Sequence, residues 1–450
     1  MVLFKSKQNK KFFALAIPIF LELTLVNVVG NIDTIMLGHF SDKAVGAVGA
    51  VGGITQALNI QNVLFGFISL GTGILIAQYV GAKDYKKMKE VIATSLFLNF
   101  LFSFLLALCY MIFWKQIFLF MKLPNELVEI GKYYFLLLSS FCGFQALTLT
   151  AGSILKSCGK PKLMLFVNVG VNLLNILGNG MFLFGWMGFP VLGTLGVAIS
   201  TIFSRALGCI FAIYFVKKHC HFHFSKKYFR PFPYKTVQHL LSIGIPTAGE
   251  NLAWNIGQLL ILAMINGLGT NYIAARTYLM LITMFIMVFS ISLGHATAIQ
   301  IGQLIGAKKW NQAYSRGFTS LKLSFILAII ASGTVFLLRV PIMNIFTQNE
   351  EILKISYEVF PYFILLESGR VFNIVIINAL HASGDILPPM IVGIIFVFLV
   401  AVPFSYLFGI KLAWDLVGIW IANAMDEWIR GFAVLYRWKS QKWKTKSFIS

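Results

Sequence analysis

The sequence predicts an all-α membrane protein whose twelve transmembrane helices form two six-helix lobes related as parallel repeats. Three observations carry this. Of the 450 residues, 58% are hydrophobic and 12% charged, with a mean hydropathy of +0.80, which leaves too little polar surface to cover a soluble globule of this size. Apolar stretches of about 20 residues, the length needed to cross a hydrocarbon core, recur along the whole chain with short polar loops between them. The chain also repeats itself. Gln78-x-x-Gly81-Ala82-Lys83 returns as Gln303-x-x-Gly306-Ala307-Lys308, and Leu155-x-x-x-Gly159 as Leu380-x-x-x-Gly384, both at an offset of 225 residues. Ile17-Pro18-x-x-x-Glu22 returns as Ile245-Pro246-x-x-x-Glu250, with Asn27 matching Asn255, at an offset of 228. Matches that keep their order mark a duplication. An even number of spans per copy makes both copies enter the membrane in the same direction, and such transporters bind substrate between their halves.

Taken in order, the spans are expected near 13–37, 45–80, 91–113, 131–155, 164–186, 192–216, 240–265, 272–305, 317–340, 356–381, 388–410 and 415–438. The second and eighth exceed the length a span requires and contain internal glycines, so they are expected to bend or to extend beyond the bilayer. Residues 1–216 are expected to form one lobe, 217–239 a basic cytoplasmic linker, and 240–450 the other lobe. Residues 1–11 carry Lys5, Lys7, Lys10 and Lys11 ahead of an apolar stretch longer than a signal-peptide core, with no small-residue cleavage site after it, which reads as an uncleaved first span.

The charge balance of +21, from 37 basic against 16 acidic residues, would suit nucleic acid only if the basic groups formed one face of a soluble domain. They fall instead in alternate loops. The lysines of residues 1–11, of 83–89, of 156–162, of 308–316 and of the C-terminal segment share one side, which the positive-inside rule makes cytoplasmic, with both termini inside the cell membrane. No nucleic-acid partner is expected. In the linker, Phe222, Phe224, Tyr228, Phe229 and Phe232 alternate with Lys226, Lys227 and Arg230, a pattern that lies on lipid headgroups. The five cysteines form no C-x-x-C pair, and a disulfide framework is not expected. His219-Cys220-His221-x-His223 has metal-ligand chemistry but no second ligand cluster in the sequence. No nucleophile and base, metal cluster or phosphate loop stands at usable spacing, so the chain is not expected to be an enzyme or to hold a cofactor.

The candidate site residues are polar groups inside apolar spans. A carboxylate there costs about 2.5–3.5 kcal/mol on insertion scales and marks a protein interior or a wet cavity. The first span contains two, Glu22 and Asp33. Asp33 has Asn27, Asn31 and Thr34 nearby, oxygens that could share a proton or a hard cation with it. Either carboxylate could instead reach to the interface from a helix end, Glu22 more readily because it lacks such neighbours. The fifth span carries Asn168, Asn172, Asn175 and Asn179 on one helical face. Such a stripe either hydrogen-bonds adjacent helices or lines a polar cavity. In a cavity, Asn172, Asn175 and Asn179 with Asp33, joined by the hydroxyl of Thr201, would make a plausible Na⁺ cage.

In the second half, Glu250 shares a span with Asn251, Asn255 and Gln258. Glu367, Arg370, Asn373 and Asn378 share the tenth. Glu367 and Arg370 stand at i, i+3, so an internal ion pair is an alternative to a transport role. Asp426, Glu427 and Arg430 in the twelfth span, and Arg205 in the sixth, read as mutually pairing groups. Asp33 has no acidic counterpart in the second half, where the matching position is Ile261. A carboxylate in a low-dielectric cleft takes up a proton or keeps a cation beside it. Proton, Na⁺ and a cationic substrate would compete for it, which is the logic of antiport, and one half rocking against the other would alternate access.

Ile17-Pro18, Asn31-Ile-Asp33-x-x-Met36-x-Gly38, Gly81-Ala82-Lys83, Ile245-Pro246-x-x-x-Glu250 and Leu366-Glu367-x-Gly369-Arg370-x-Phe372-Asn373 resemble the multidrug and toxic compound extrusion (MATE) family across both halves. The resemblance implies a V-shaped pair of six-helix lobes and Na⁺- or H⁺-coupled efflux of small organic cations. It also implies an essential aspartate at Asp33 and a glutamate at Glu250. Members often carry an aspartate in the fifth span where this chain reads Asn179, and others an acidic residue in the tenth where it has Arg370, with Glu367 one turn earlier. The expected partners are organic cations, Na⁺ or H⁺ and membrane lipids, and a monomer is expected. The rival reading is a flippase for lipid-linked saccharides on a related fold, whose cleft should be lined with cations; here the first-half candidates are acidic.

Overall fold

The computed structural model describes residues 7–29, 36, 44–121 and 125–449. Among them a helix, or a helix broken at one point, lies over each of the twelve expected spans. These are α1 (Lys7–Val29), α2 (Ala44–Ala82), α3 (Tyr85–Phe120), α4 (Asn125–Ser140), α5 (Cys142–Ser157), α6 (Pro161–Phe184), α7 (Thr194–His219), α8 (Tyr234–Asn266), α9 (Thr270–Gly306), α10 (Trp310–Leu337), the short α11 (Arg339–Phe346) and α12 (Glu350–Ser383), then α13 (Leu387–Lys411) and α14 (Asp415–Lys439). Helices are the only spanning elements here because each backbone amide finds its partner within its own segment, which hydrocarbon requires. No strand occurs among the described residues, and eight of these helices are long and apolar enough to cross a membrane. The fourth span is a pair, α4 and α5, bent by 46°.

The two long spans are continuous helices of 39 and 37 residues. At about 1.5 Å per residue each outruns the hydrocarbon core and projects beyond it. α13 relaxes into π-helical turns at Val397–Ala401 and Tyr406–Lys411 on either side of Pro403, which cannot continue the regular hydrogen-bond ladder.

The chain divides into two compact units. One holds Leu21–Ile76 and Asp84–Gly244; the other holds Met1–Phe20, Ala77–Lys83 and Ile245–Ser450. The boundary near residue 244 falls where α8 has already left the linker, and α1 and the end of α2 are shared out by their packing. The first unit's core gathers Ile54, Phe118, Phe135, Leu183 and Val197, among others. The second has two clusters, one around Phe360, Phe363 and Trp420 and one around Val375, Leu380 and Trp438.

The repeated turns are structurally repeated as well. Lys83 and Lys308 both sit in the left-handed region, at φ 58° and 57°, where a side chain is disfavoured and a helix is brought to a stop. Within the second unit the two copies meet. A Cβ added to Gly81 would collide with the carbonyl of Gln303, and one added to Gly306 would collide with the carbonyl of Gln78. Only glycine permits this reciprocal approach of two helix backbones. Gln78 also donates to the Ala382 carbonyl at 2.8 Å and accepts from the Phe448 amide at 3.2 Å. Nearby, the Arg316 guanidinium donates to Asn9 Oδ1 at 2.6 Å and lies 4.5 Å from the centre of the Phe12 ring, tying the start of α1 to α10.

Candidate ion and substrate sites

In the first unit the asparagine face of α6 meets its neighbours directly. Asn168 Nδ2 and Lys156 Nζ both donate to Glu22 Oε1, at 3.3 and 3.2 Å. Glu22 is thus a buried carboxylate held by a lysine from the end of α5, and the alternative of a carboxylate reaching to the interface is set aside. Asn175 Nδ2 donates to Thr201 Oγ1 at 3.1 Å, the Thr201 hydroxyl donates to the Val197 carbonyl at 2.8 Å, and the Ser200 hydroxyl donates to the Asn175 carbonyl at 3.0 Å. α7 comes this close because Gly178 has no side chain where Ser200 packs. Asn179 is fully buried, with its amide 4.0 Å from Met36 Sδ, and Asn172 is half-buried on the same face. The structure therefore brings Asn175 and Thr201 together in a direct hydrogen bond between α6 and α7, the alternative to a cavity-lining stripe. Asp33, Asn31 and Thr34 lie outside the described residues.

The second unit concentrates charge. Arg370 pairs with Glu367 one turn earlier on α12 and approaches Glu427 Oε1 of α14 at 3.5 Å. Arg430 Nη2 pairs with Asp426 Oδ2 at 3.1 Å and with Glu427 Oε2 at 3.0 Å. Asn373 Nδ2 donates to the Glu427 carbonyl at 2.7 Å and to its Oε2 at 2.6 Å. Glu250 of α8 packs beside Gly393, where a Cβ would stand 3.0 Å from its Oε1. Asn255 is not part of this cluster: it is exposed and donates to the Asn251 carbonyl at 2.7 Å.

A narrow cavity of about 40 Å³ opens onto these groups, with Trp254, Gln258, Arg276, Arg370, Asp426 and Glu427 in its wall. A water needs roughly 10–15 Å³ of such space, so this one has room for a few waters or a small cation and none for a drug-sized molecule. Glu367 Oε2 and Asp426 Oδ1 are buried carboxylate oxygens with no hydrogen-bond partner among the described residues. Both are oxygens that a proton or a hard cation would satisfy. Sequence reasoning singled out Glu250, Glu367, Arg370 and the α14 acids, but not Arg276 or Trp254. Arg276 could have been found as a cation inside an apolar span.

Comparison with known proteins fits this architecture. The family described as MatE matches residues 18–181 and 246–407, one stretch in each half. The chain is 37% identical over 446 residues to the uncharacterized transporter YisQ of Bacillus subtilis, covering 98% of this chain and 97% of that protein. It is 27% identical to a probable multidrug resistance protein NorM of Thermotoga maritima, covering 98% and 94%. Among solved structures it resembles a MATE protein in its bent conformation, with a TM-score of 0.87 at 19% identity, covering 98% of both chains. It also resembles an outward-facing multidrug resistance MATE transporter of the MOP superfamily, at 0.85, 18% and the same coverage. Duplicated halves, apolar helices and buried polar clusters thus converge with these likenesses: the chain belongs to the MatE family of multidrug and toxic compound extrusion proteins, multi-pass membrane transporters rather than enzymes.

Proposed function

We propose that the chain exports small organic cations in exchange for Na⁺ or H⁺ by alternating access, with both termini on the cytoplasmic side. The observation that carries this reading is a pair of unsatisfied buried carboxylate oxygens in the second unit. Glu367, Asp426 and Glu427 are buried against Arg370 and Arg430, and Glu367 Oε2 and Asp426 Oδ1 meet no hydrogen-bond donor among the described residues. Within a membrane such oxygens are satisfied by a proton or a cation. Occupancy of that position by a coupling ion then depends on which way the site is open, which converts an ion gradient into work on a substrate. The cavity dimensions favour the ion over the organic substrate as occupant. Asp33 is the proposed carboxylate of the first half, with the Asn175 and Thr201 pair and Asn172 and Asn179 as its neutral oxygens.

The test is ethidium efflux from proteoliposomes under an imposed Na⁺ gradient and, separately, an imposed pH gradient. One gradient should drive efflux, and Asp33→Asn should abolish it in protein that still purifies folded from the membrane. Transport that persists unchanged in Asp33→Asn, or that neither gradient drives, would overturn the reading. The salt-bridged cluster is tested by Glu367→Gln, which should shift the dependence on the driving ion more than it changes the affinity for ethidium.

A further inference from the structure

Outside the polar clusters, two cysteines 62 residues apart in sequence touch: Cys220 Sγ stands 3.0 Å from Cys158 Sγ. Cys158 caps the C-terminal end of α5 and Cys220 that of α7. Cys220 is 4% exposed, while Cys158 is partly open to solvent. Because sulfur atoms in ordinary contact sit farther apart than this, the two thiols are in hydrogen-bonding contact, within reach of a bond about 2.05 Å long. The duplication gives a control within the same chain. At the 225-residue offset the second half has Ser383 and Thr445, and there Gly384 meets the Lys446 carbonyl instead. The second half thus packs the end of α12 against the segment that follows α14, without thiols.

We propose that Cys158 and Cys220 form a reversible disulfide on exposure to a hydroperoxide, stapling the end of α5 to the end of α7 and slowing transport. A thiolate attacks a peroxide oxygen, the O–O bond breaks, and a sulfenic acid forms as water or an alcohol leaves. The second thiol then attacks that sulfur, its proton leaves with the departing hydroxide as water, and the S–S bond closes. In all, two thiols are oxidised and one hydroperoxide is reduced. The hydrogen bond between the thiols pushes the Cys220 pKa down and the Cys158 pKa up. The staple would close a loop containing α6 and α7, the two helices that carry Asn175 and Thr201.

Two readouts test this on the full chain in proteoliposomes. Maleimide labelling after denaturation should count five free thiols in the reduced protein, three after hydrogen peroxide and five again after dithiothreitol. Cys158→Ser and Cys220→Ser should each begin at four and lose no pair. A count that stays at five, a linked peptide joining other cysteines, or oxygen added to Cys158 or Cys220 in place of a crosslink would overturn the proposal. This arm does not depend on what the protein transports. The second arm rests on the function proposed above: peroxide should cut the initial rate of ethidium efflux roughly in half or more, reversibly, by hindering motion between helices. Cys158→Ser should escape that loss. A disulfide that forms without slowing efflux would overturn the regulatory part.

Discussion

The polar cluster of the first unit and that of the second occupy halves built from one duplicated plan, yet they handle charge differently. In the first, the carboxylate among the described residues of the cluster, Glu22, is answered by one lysine and an amide, and Asn175 meets a neutral hydroxyl. In the second, Glu367, Asp426 and Glu427 interlock with Arg370 and Arg430 across α12 and α14. The backbone devices survived duplication, down to a left-handed lysine at each Gly-Ala-Lys turn. The chemistry did not. Backbone geometry is fixed by how helices must stop and pack, whereas a side chain in a polar interior needs only to be satisfied, by whatever partner the other helices bring.

The sharpest way to break this contrast is to remove one guanidinium. Arg430→Ala leaves Asp426 and Glu427 buried without their main partner and should cost about 3–5 kcal/mol, read as a large fall in melting temperature in detergent. Lys156→Ala removes the corresponding partner of Glu22, but its side chain is 20% exposed, and the loss should be nearer 1 kcal/mol. Equal losses would mean that the two clusters are energetically alike after all.

Next in size come the glycines of the crossing. Gly306→Ala and Gly81→Ala should each cost about 1–3 kcal/mol, because the opposing carbonyl has nowhere to retreat. Gly170→Ala, with open space around it, should be neutral or slightly stabilising by melting temperature. A difference between Gly81 and Gly306 would show that the crossing is less symmetric than it looks. Smallest of all, Asn175→Ala should cost about 1 kcal/mol of stability by removing the bond to Thr201. If Thr201→Ala costs the same and the double variant no more than either, the pair acts as one unit.

Much of the fold was legible because hydropathy has a length scale and the duplication a fixed offset. Each expected span received its helix, and the bend between α4 and α5 was the main departure. Contacts along one helix were legible too: Glu367 with Arg370 and Asp426 with Arg430 follow from spacing alone. Contacts across helices were not. Nothing in the sequence couples Glu22 to Lys156, Glu427 to Asn373 or Cys158 to Cys220, because each depends on which helix faces share an interface. The repeat announced Gly81 and Gly306 as equivalent positions but not that each would lie against the other's copy.

One small feature lends itself to observation. Trp438 and Trp443 are both fully buried, with their rings parallel within 5° and their centres 4.3 Å apart, and the Trp443 indole donates to the Trp438 carbonyl at 3.0 Å. Two indoles stacked so closely couple their electronic transitions, giving the protein a built-in optical probe at the foot of α14. Lifting Trp443 away would change the near-ultraviolet circular dichroism and the emission of Trp438 together, so the seating of that segment could be followed in working vesicles without an attached dye.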